Sequence, residues 1–417
     1  MKTSRARLFR IASAAAIAVS TFSIAACEND PSGPSDDEIV IGGLFSLTGN
    51  WASLGVASKA AMEIGIEDVN KYLADGGTGL QFTASIKDTK LDPVLALTQL
   101  GELKAAGAEV VIGPQSSAEV AALKSYVDAN SMLIASQSST AGTLAIAGDN
   151  IFRFTPSDTL EAVALAGLMK ADAMKIIIPL WRNDPGNIGL QTATRALFSL
   201  TGSVKPGVQY AANQSEFASI LSTLKTQVQA AITENGGTTG VAIAHAGFDE
   251  VVAIFKLAAV DPVLSSVRWY GTDGTAVTEP LRTDAAAAAF AAKVSFWAPI
   301  PGVDAGASAR WQPVATRIAA RAGSQPDAFA LAVYDAVWIT AISYLAAGGR
   351  GHFDALKKAF VTTADGLYGA SGWTALNAAG DRRFGDFDFF ALAQSGSTYN
   401  WVRRGHYNTQ TGVLNRF

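Results

Sequence analysis

The stretch IVIGGLFSLTGNWASLGVASKAAMEIGIEDVNKYLADGGTGLQFTASIKD, residues 39–88, holds one strand–helix–strand unit. Ile39 to Phe45 is a short apolar run, the pattern of a buried strand. Ser46-Leu47-Thr48-Gly49-Asn50 breaks it. Ser53 to Leu73 then predicts a helix, stopped by Asp75-Gly76-Gly77. Leu80 to Lys87 alternates as a second strand.

The alternation continues outward. Asp92-Pro93 opens the next helix, with proline near the first turn, where its missing N–H costs little. Glu109 to Ile112 predicts strand three, Ser117 to Asn130 a helix, and Met132 to Ala135 strand four. The pattern then restarts. Helices are expected at Thr159–Ala171, Asn187–Leu200, Ser215–Asn235 and Glu250–Val260. Strands are expected at Met174–Leu180, Val204–Tyr210, Val241–Ala244 and Val267–Tyr270. Further helices follow at Ser308–Ala322, Asp327–Ala347 and His352–Val361, and Trp373–Arg404 reads as antiparallel strands. Repeated alternation argues for α/β architecture with parallel sheets covered by helices, here two doubly wound Rossmann-like lobes.

Composition narrows the function. The chain has 417 residues, 49% hydrophobic and 16% charged, enough apolar content for packed cores and room for two or three domains. Its net charge of −4 comes without a basic block, so nucleic acid is not an expected partner. One Cys excludes a disulfide framework or a thiolate cluster, and His245, His352 and His406 are scattered; no metal or cofactor is expected. No nucleophile elbow, P-loop, zinc-protease helix or dinucleotide fingerprint occurs, and His245 reads as structural, so no enzyme is expected.

Residues 1–26 carry Lys2, Arg5, Arg7 and Arg10, then a short apolar core from Ile11 to Ile24, the anatomy of a secretory leader. Ile24-Ala25-Ala26-Cys27 resembles a lipobox, which makes Cys27 the expected lipidation site and the protein extracytoplasmic and membrane-anchored. Losing residues 1–26 would leave 28 basic against 36 acidic residues, a net charge of −8. Residues 27–38 read as a flexible tether. No other stretch is read as long and apolar enough to span a bilayer.

In parallel α/β sheets, ligands bind beyond the carboxyl ends of the strands. The turns there are Ser46–Trp51, Gly113–Ser117, Ser136–Thr140, His245–Asp249 and Gly271–Gly274. The first three are uncharged and rich in hydroxyls, suited with helix N–H groups to a carboxylate. Asp273 supplies an acid for an ammonium, and Trp51, Trp181 and Phe248 could wall an apolar group. Other readings stand beside these: Ser116 with Glu119 fits a capping box, and Asp273-Gly274 fits a turn.

The order of motifs resembles the type I periplasmic solute-binding proteins, in particular the leucine/isoleucine/valine-binding branch. The motifs that carry the likeness are IGGLFSLTGNWASLG at 41–55, KDTKLDP at 87–93, VIGPQSS at 111–117, LIASQSST at 133–140, FRFTPSD at 152–158, WYGTDG at 269–274, PDAFALAVYDAV at 326–337 and ALNAAGDRRFGDFDFF at 375–390. The resemblance implies two lobes joined by three crossovers, with the ligand between them and hinge closure on binding. It implies lobe 1 over residues 39–157 and 298–372, and lobe 2 over 158–297 and 373–417. It puts the family's carboxylate-binding serine on Ser117, its loop carbonyl on Gln137, its following hydroxyl on Ser139 beside Ser138, and its ammonium-binding acid on Asp273. Phe248 stands where the family has tyrosine, and an aromatic position of the second lobe falls on Asn187 or Ile188. An amino-acid cargo, ABC permease partners and a monomer follow as expectations. The alternative is a ligand-sensing or partner-scaffolding lipoprotein on the same fold.

Overall fold

The computed structural model describes residues 38–417. The expected leader, most of the tether and Cys27 lie outside the described residues. The chain opens with β1 (Glu38–Phe45), α1 (Ala52–Asp75), β2 (Gln81–Asp88), α2 (Pro93–Ala105), β3 (Val110–Ile112), α3 (Ser117–Ala129), β4 (Leu133–Ser136) and β5 (Ile151–Arg153). These strands form a parallel sheet in the order β2-β1-β3-β4-β5. Local chemistry sets the helix starts. Asp92 caps α2 by accepting from the N–H of Val94 at 2.8 Å, with Pro93 in the first turn. Ser116 and Glu119 form the capping box of α3 in full.

The chain then crosses to a second sheet. Its elements are α4 (Asp158–Ala171), β6 (Ile176–Asn183), α5 (Pro185–Phe198), β7 (Ser203–Val204), β8 (Val208–Ala211), α6 (Ala218–Asn235), β9 (Val241–Ala246), α7 (Val251–Ala259), β10 (Arg268–Tyr270), α8 (Glu279–Thr283), α9 (Ala285–Lys293) and β11 (Trp297–Pro301). The first lobe is then completed by α10 (Ser308–Ala322), α11 (Ala328–Ala347), α12 (Phe353–Gly366) and a small hairpin, β12 (Tyr368–Gly369) with β13 (Gly372–Trp373). Finally β14 (Phe387–Ser395), β15 (Thr398–Asn408) and β16 (Val413–Arg416) extend the second sheet in antiparallel fashion from β11. The result is two α/β lobes and three crossings between them. The first sheet packs α1 and α11 on one face and α2 and α3 on the other, and the second is likewise covered on both faces.

Two lobe limits differ from the sequence reading. Residues 297–301 pair with β10 and β14, so the chain leaves the second sheet only after Pro301, not at 298. Residues 373–383 stay with the first lobe. Arg153 bridges to Asp381, and the Thr374 hydroxyl donates to the carbonyl of Ala364 at 2.8 Å. The antiparallel strands therefore begin at Phe387, not Trp373. Helices α8 and α9 went unread in the sequence. One expectation about membranes also changes: α11 is long and apolar enough to cross a bilayer, but it is a buried core helix between α1 and α12.

Candidate functional site

The first-lobe turns converge as the strand order places them. The hydroxyls of Ser117 and Ser139 lie 3.0 Å apart, and Ser117 Oγ also accepts from the N–H groups of Thr140 and Ala141, each at 3.2 Å. Both side chains are buried. Ser117 faces the second lobe: a Cβ on Gly186 of α5 would sit 3.4 Å from its Oγ. The neighbouring predicted residues are used within the lobe. The Ser138 hydroxyl donates to the carbonyl of Gln115 at 2.9 Å, and the Gln137 amide donates to Ser58 at 3.3 Å.

A bidentate ion pair holds this loop. Arg153 donates to both oxygens of Asp381, at 2.6 and 2.7 Å, and to the carbonyl of Ala141 at 2.6 Å. Arg153 and Asp381 are 1% and 4% exposed, so the pair is sealed from water.

The second lobe brings acids to this loop: the Asp158 N–H donates to the carbonyl of Thr140 at 3.0 Å. Asp273 is buried, and its Oδ1 accepts from the N–H of Gly274 at 2.7 Å. Its own N–H donates to Glu161 at 3.0 Å. Glu161 and Asp158, both in the first turn of α4, are 1% and 2% exposed. Neither oxygen of Asp158, nor Oε2 of Glu161, has a hydrogen-bond partner among the described residues. Burial pushes Asp158 up to about 8, with the nearby Thr140 hydroxyl opposing and Asp273 adding to the rise. Burial likewise pushes Asp273 up to about 7, with the charges of Asp184 and Asp327 adding to it. Glu161 is raised well above its ordinary range by burial first and by Asp273 second. Carboxyls buried and crowded together stay protonated until a cation joins them.

Sequence reasoning missed Asp158 and Glu161. Acids in the first turn of a helix read as ordinary complements to its dipole. The signal that marks them is Glu161, a large acid in line with the buried Leu165 and Leu168 of α4.

Trp51 and Phe248 meet across the lobes, their rings stacked at 4.5 Å, with the Arg182 guanidinium over the Phe248 ring at 5.3 Å. Trp181 lies half-buried on β6, outside this stack. Of the two alternatives on α5, Asn187 is buried and bonded to Asp184, whereas Ile188 is exposed. His245 is buried against the Tyr210 hydroxyl at 3.0 Å, and burial lowers it to about 4, as fits a structural imidazole.

Direct hydrogen bonds latch the lobes together. The Asn50 amide donates to Glu250 at 2.7 Å and its oxygen accepts from the N–H of Asp249 at 2.9 Å, while Asp249 accepts from the N–H of Trp51 at 2.7 Å. Hydrogen bonds to charged groups contribute about 1.5–3 kcal/mol each. Asn50→Ala is therefore expected to populate an open form and to weaken ligand binding by roughly tenfold or more. Small-angle scattering and titration calorimetry check this; an unchanged radius and affinity would contradict it.

Comparisons with known proteins agree with this architecture. Residues 57–393 match the family described as the receptor family ligand binding region. An uncharacterized protein of Methanocaldococcus jannaschii is 29% identical over 405 residues, covering 92% of this chain and 93% of that protein. A leucine binding protein of Thermotoga maritima superposes with a TM-score of 0.70 at 16% identity, covering 89% of this chain and 99% of that one. The branched-chain amino acid transporter substrate binding protein LivJ of Streptococcus pneumoniae, solved with isoleucine, gives a TM-score of 0.66 at 19% identity, covering 88% of this chain and 99% of that one. The chain belongs to the receptor-family ligand-binding-region family, with the fold of the type I periplasmic binding proteins.

Proposed function

We propose that this chain is an extracytoplasmic, lipid-anchored solute-binding protein that hands a small ammonium-bearing solute, of the amino-acid class, to an ABC importer. The observation that carries the reading is the placing of Asp273, held to Glu161 at 3.0 Å, with the unpartnered carboxyl of Asp158 in the same helix turn as Glu161; the Asp158 N–H donates to Thr140 in the first-lobe loop that carries the Ser139 hydroxyl bonded to Ser117. A zwitterion satisfies both sides: its ammonium neutralises the acids and its carboxylate takes the hydroxyls. Closure over the solute changes the surface presented to a permease, so binding is the function and no bond is broken. Cys27 would supply the anchor.

A thermal-shift screen of amino acids and simple amines tests the reading. A ligand bound only by the folded state stabilises it by RT ln(1 + [L]/Kd), about 2.7 kcal/mol at a hundredfold excess over Kd. Stabilisation by ammonium-bearing solutes is expected. A response confined to solutes without a cationic nitrogen would contradict it.

The acids also set a pH dependence. Asp158 and Asp273 titrate near 8 and 7, above the value of about 3.9 for an unfolded aspartate. The folded state therefore binds the extra protons. Without ligand, stability is fully present below about pH 4 and falls as pH rises through 7 to 8. An ammonium ligand favours the ionised carboxylates, so its affinity rises with pH and its binding expels protons. Calorimetry at about pH 6.5 in two buffers of different ionisation enthalpy is expected to show net proton release. Net uptake, or no exchange, would contradict the pairing.

A further inference from the structure

We propose that the solute carries a bulky apolar body, aromatic or alicyclic, which lies in a chamber between the lobes beside Trp51. This rests on the reading of Asp273 as the acid for a cationic nitrogen, and it narrows the ligand class within that reading. Although Asn50, Asp249 and Glu250 latch the lobes together, a partly open chamber of about 660 Å³ remains between them there. Sites for drug-sized ligands span roughly 300–1,000 Å³. A branched aliphatic side chain would leave most of this space unfilled.

The wall is chiefly apolar: Trp51, Leu54 and Trp311 from the first lobe, and Ile300, Phe390 and Trp401 from the second. The indole N–H groups of Trp311 and Trp401 are already satisfied, by the carbonyls of Asp304 at 2.9 Å and Thr278 at 3.0 Å. Those rings therefore ask nothing polar of an occupant. The cations on the wall are also paired, Arg282 with Glu279 and Arg403 with Asp388, which leaves neither as a free anion receptor. Ala276 connects the chamber to Asp273: it lines the chamber wall, and its N–H donates to the carbonyl of Thr272 at 3.1 Å, closing the turn that carries Asp273. A nitrogen held at Asp273 thus has the chamber beside the same turn.

Backbone conformation points to the same place. Trp51 and Val277, both bulky, hold φ at 57°, in the left-handed region, and both line the chamber. Such conformations cluster at ligand sites because surrounding structure must enforce them.

Titration calorimetry of the full chain with L-leucine and L-homophenylalanine tests the inference, since the two share their charged ends and differ in body. Homophenylalanine is expected to bind at least tenfold tighter. Ala315→Trp, which fills the chamber from the face of α10, should abolish that advantage and leave leucine within about twofold; Ala319→Trp repeats the test one turn on if the first variant unfolds. Equal or tighter binding of leucine overturns the chamber, as does an advantage that survives the filling substitutions. Asp273→Asn separates this failure from failure of the underlying reading. Weakening of both amino acids by tenfold or more keeps the acid in place whatever the chamber does. Unchanged binding of both, or no binding of either at millimolar concentration, removes the acid reading and the chamber with it.

Discussion

Asp273→Ala is expected to cost an ammonium-bearing ligand about 2–5 kcal/mol of binding free energy, at least a thirtyfold loss. The size follows from the surroundings. Asp273 is buried and bonded to Glu161, in the helix turn that also holds Asp158, and it feels the charge of Asp184. Water cannot replace the lost carboxylate there, so the ligand's cation would lose its partner on the second lobe. The ligand-free protein should respond in the opposite direction. Removing one of several crowded acids relieves repulsion, so the empty variant should unfold at an equal or higher denaturant concentration near pH 8. Weaker binding together with equal or greater empty-state stability distinguishes a ligand contact from a turn residue. A change in affinity below twofold would contradict the assignment.

Asp381→Ala is expected to destabilise the protein by about 3–5 kcal/mol, because it strands Arg153 as an uncompensated buried charge. The Arg153–Asp381 pair joins β5 to the segment before the third crossing, and Arg153 also binds the carbonyl of Ala141. The loop carrying Ser139 is thus positioned through a pair whose partners lie 228 residues apart along the chain. Denaturant unfolding measures the loss, and ligand affinity should fall with it as the loop loosens. A destabilisation below about 1 kcal/mol would show that the pair does not hold the loop.

The elements whose signals are local were legible in the sequence. Asp92-Pro93 and Ser116 with Glu119 start their helices as read, because a cap needs only residues three or four positions away. The alternation of strands and helices likewise gave both sheets. The lobe limits were harder, since a strand's lobe is set by its pairing partner: Trp297–Pro301 belongs to the second sheet through β14, almost a hundred residues later. The acid cluster was hidden for the same reason. Asp158 and Glu161 look like a helix start, and only folding brings them to Asp273, which bonds to Glu161 across 112 residues. The turns of Ser117 and Ser139 come together because they follow the adjacent strands β3 and β4, while the two serines themselves were singled out by the family resemblance. Ser138 lies in the same turn, with its hydroxyl bound to the carbonyl of Gln115.

A crystal structure of the protein soaked with the strongest ligand from the amine and amino-acid screen decides whether Asp273 holds the cation. The expected result is a cationic nitrogen within about 3.2 Å of an Asp273 carboxylate oxygen, between the closed lobes, with Ser117 or Ser139 on its far side. A ligand bound elsewhere, or in the cleft with Asp273 untouched, would contradict it.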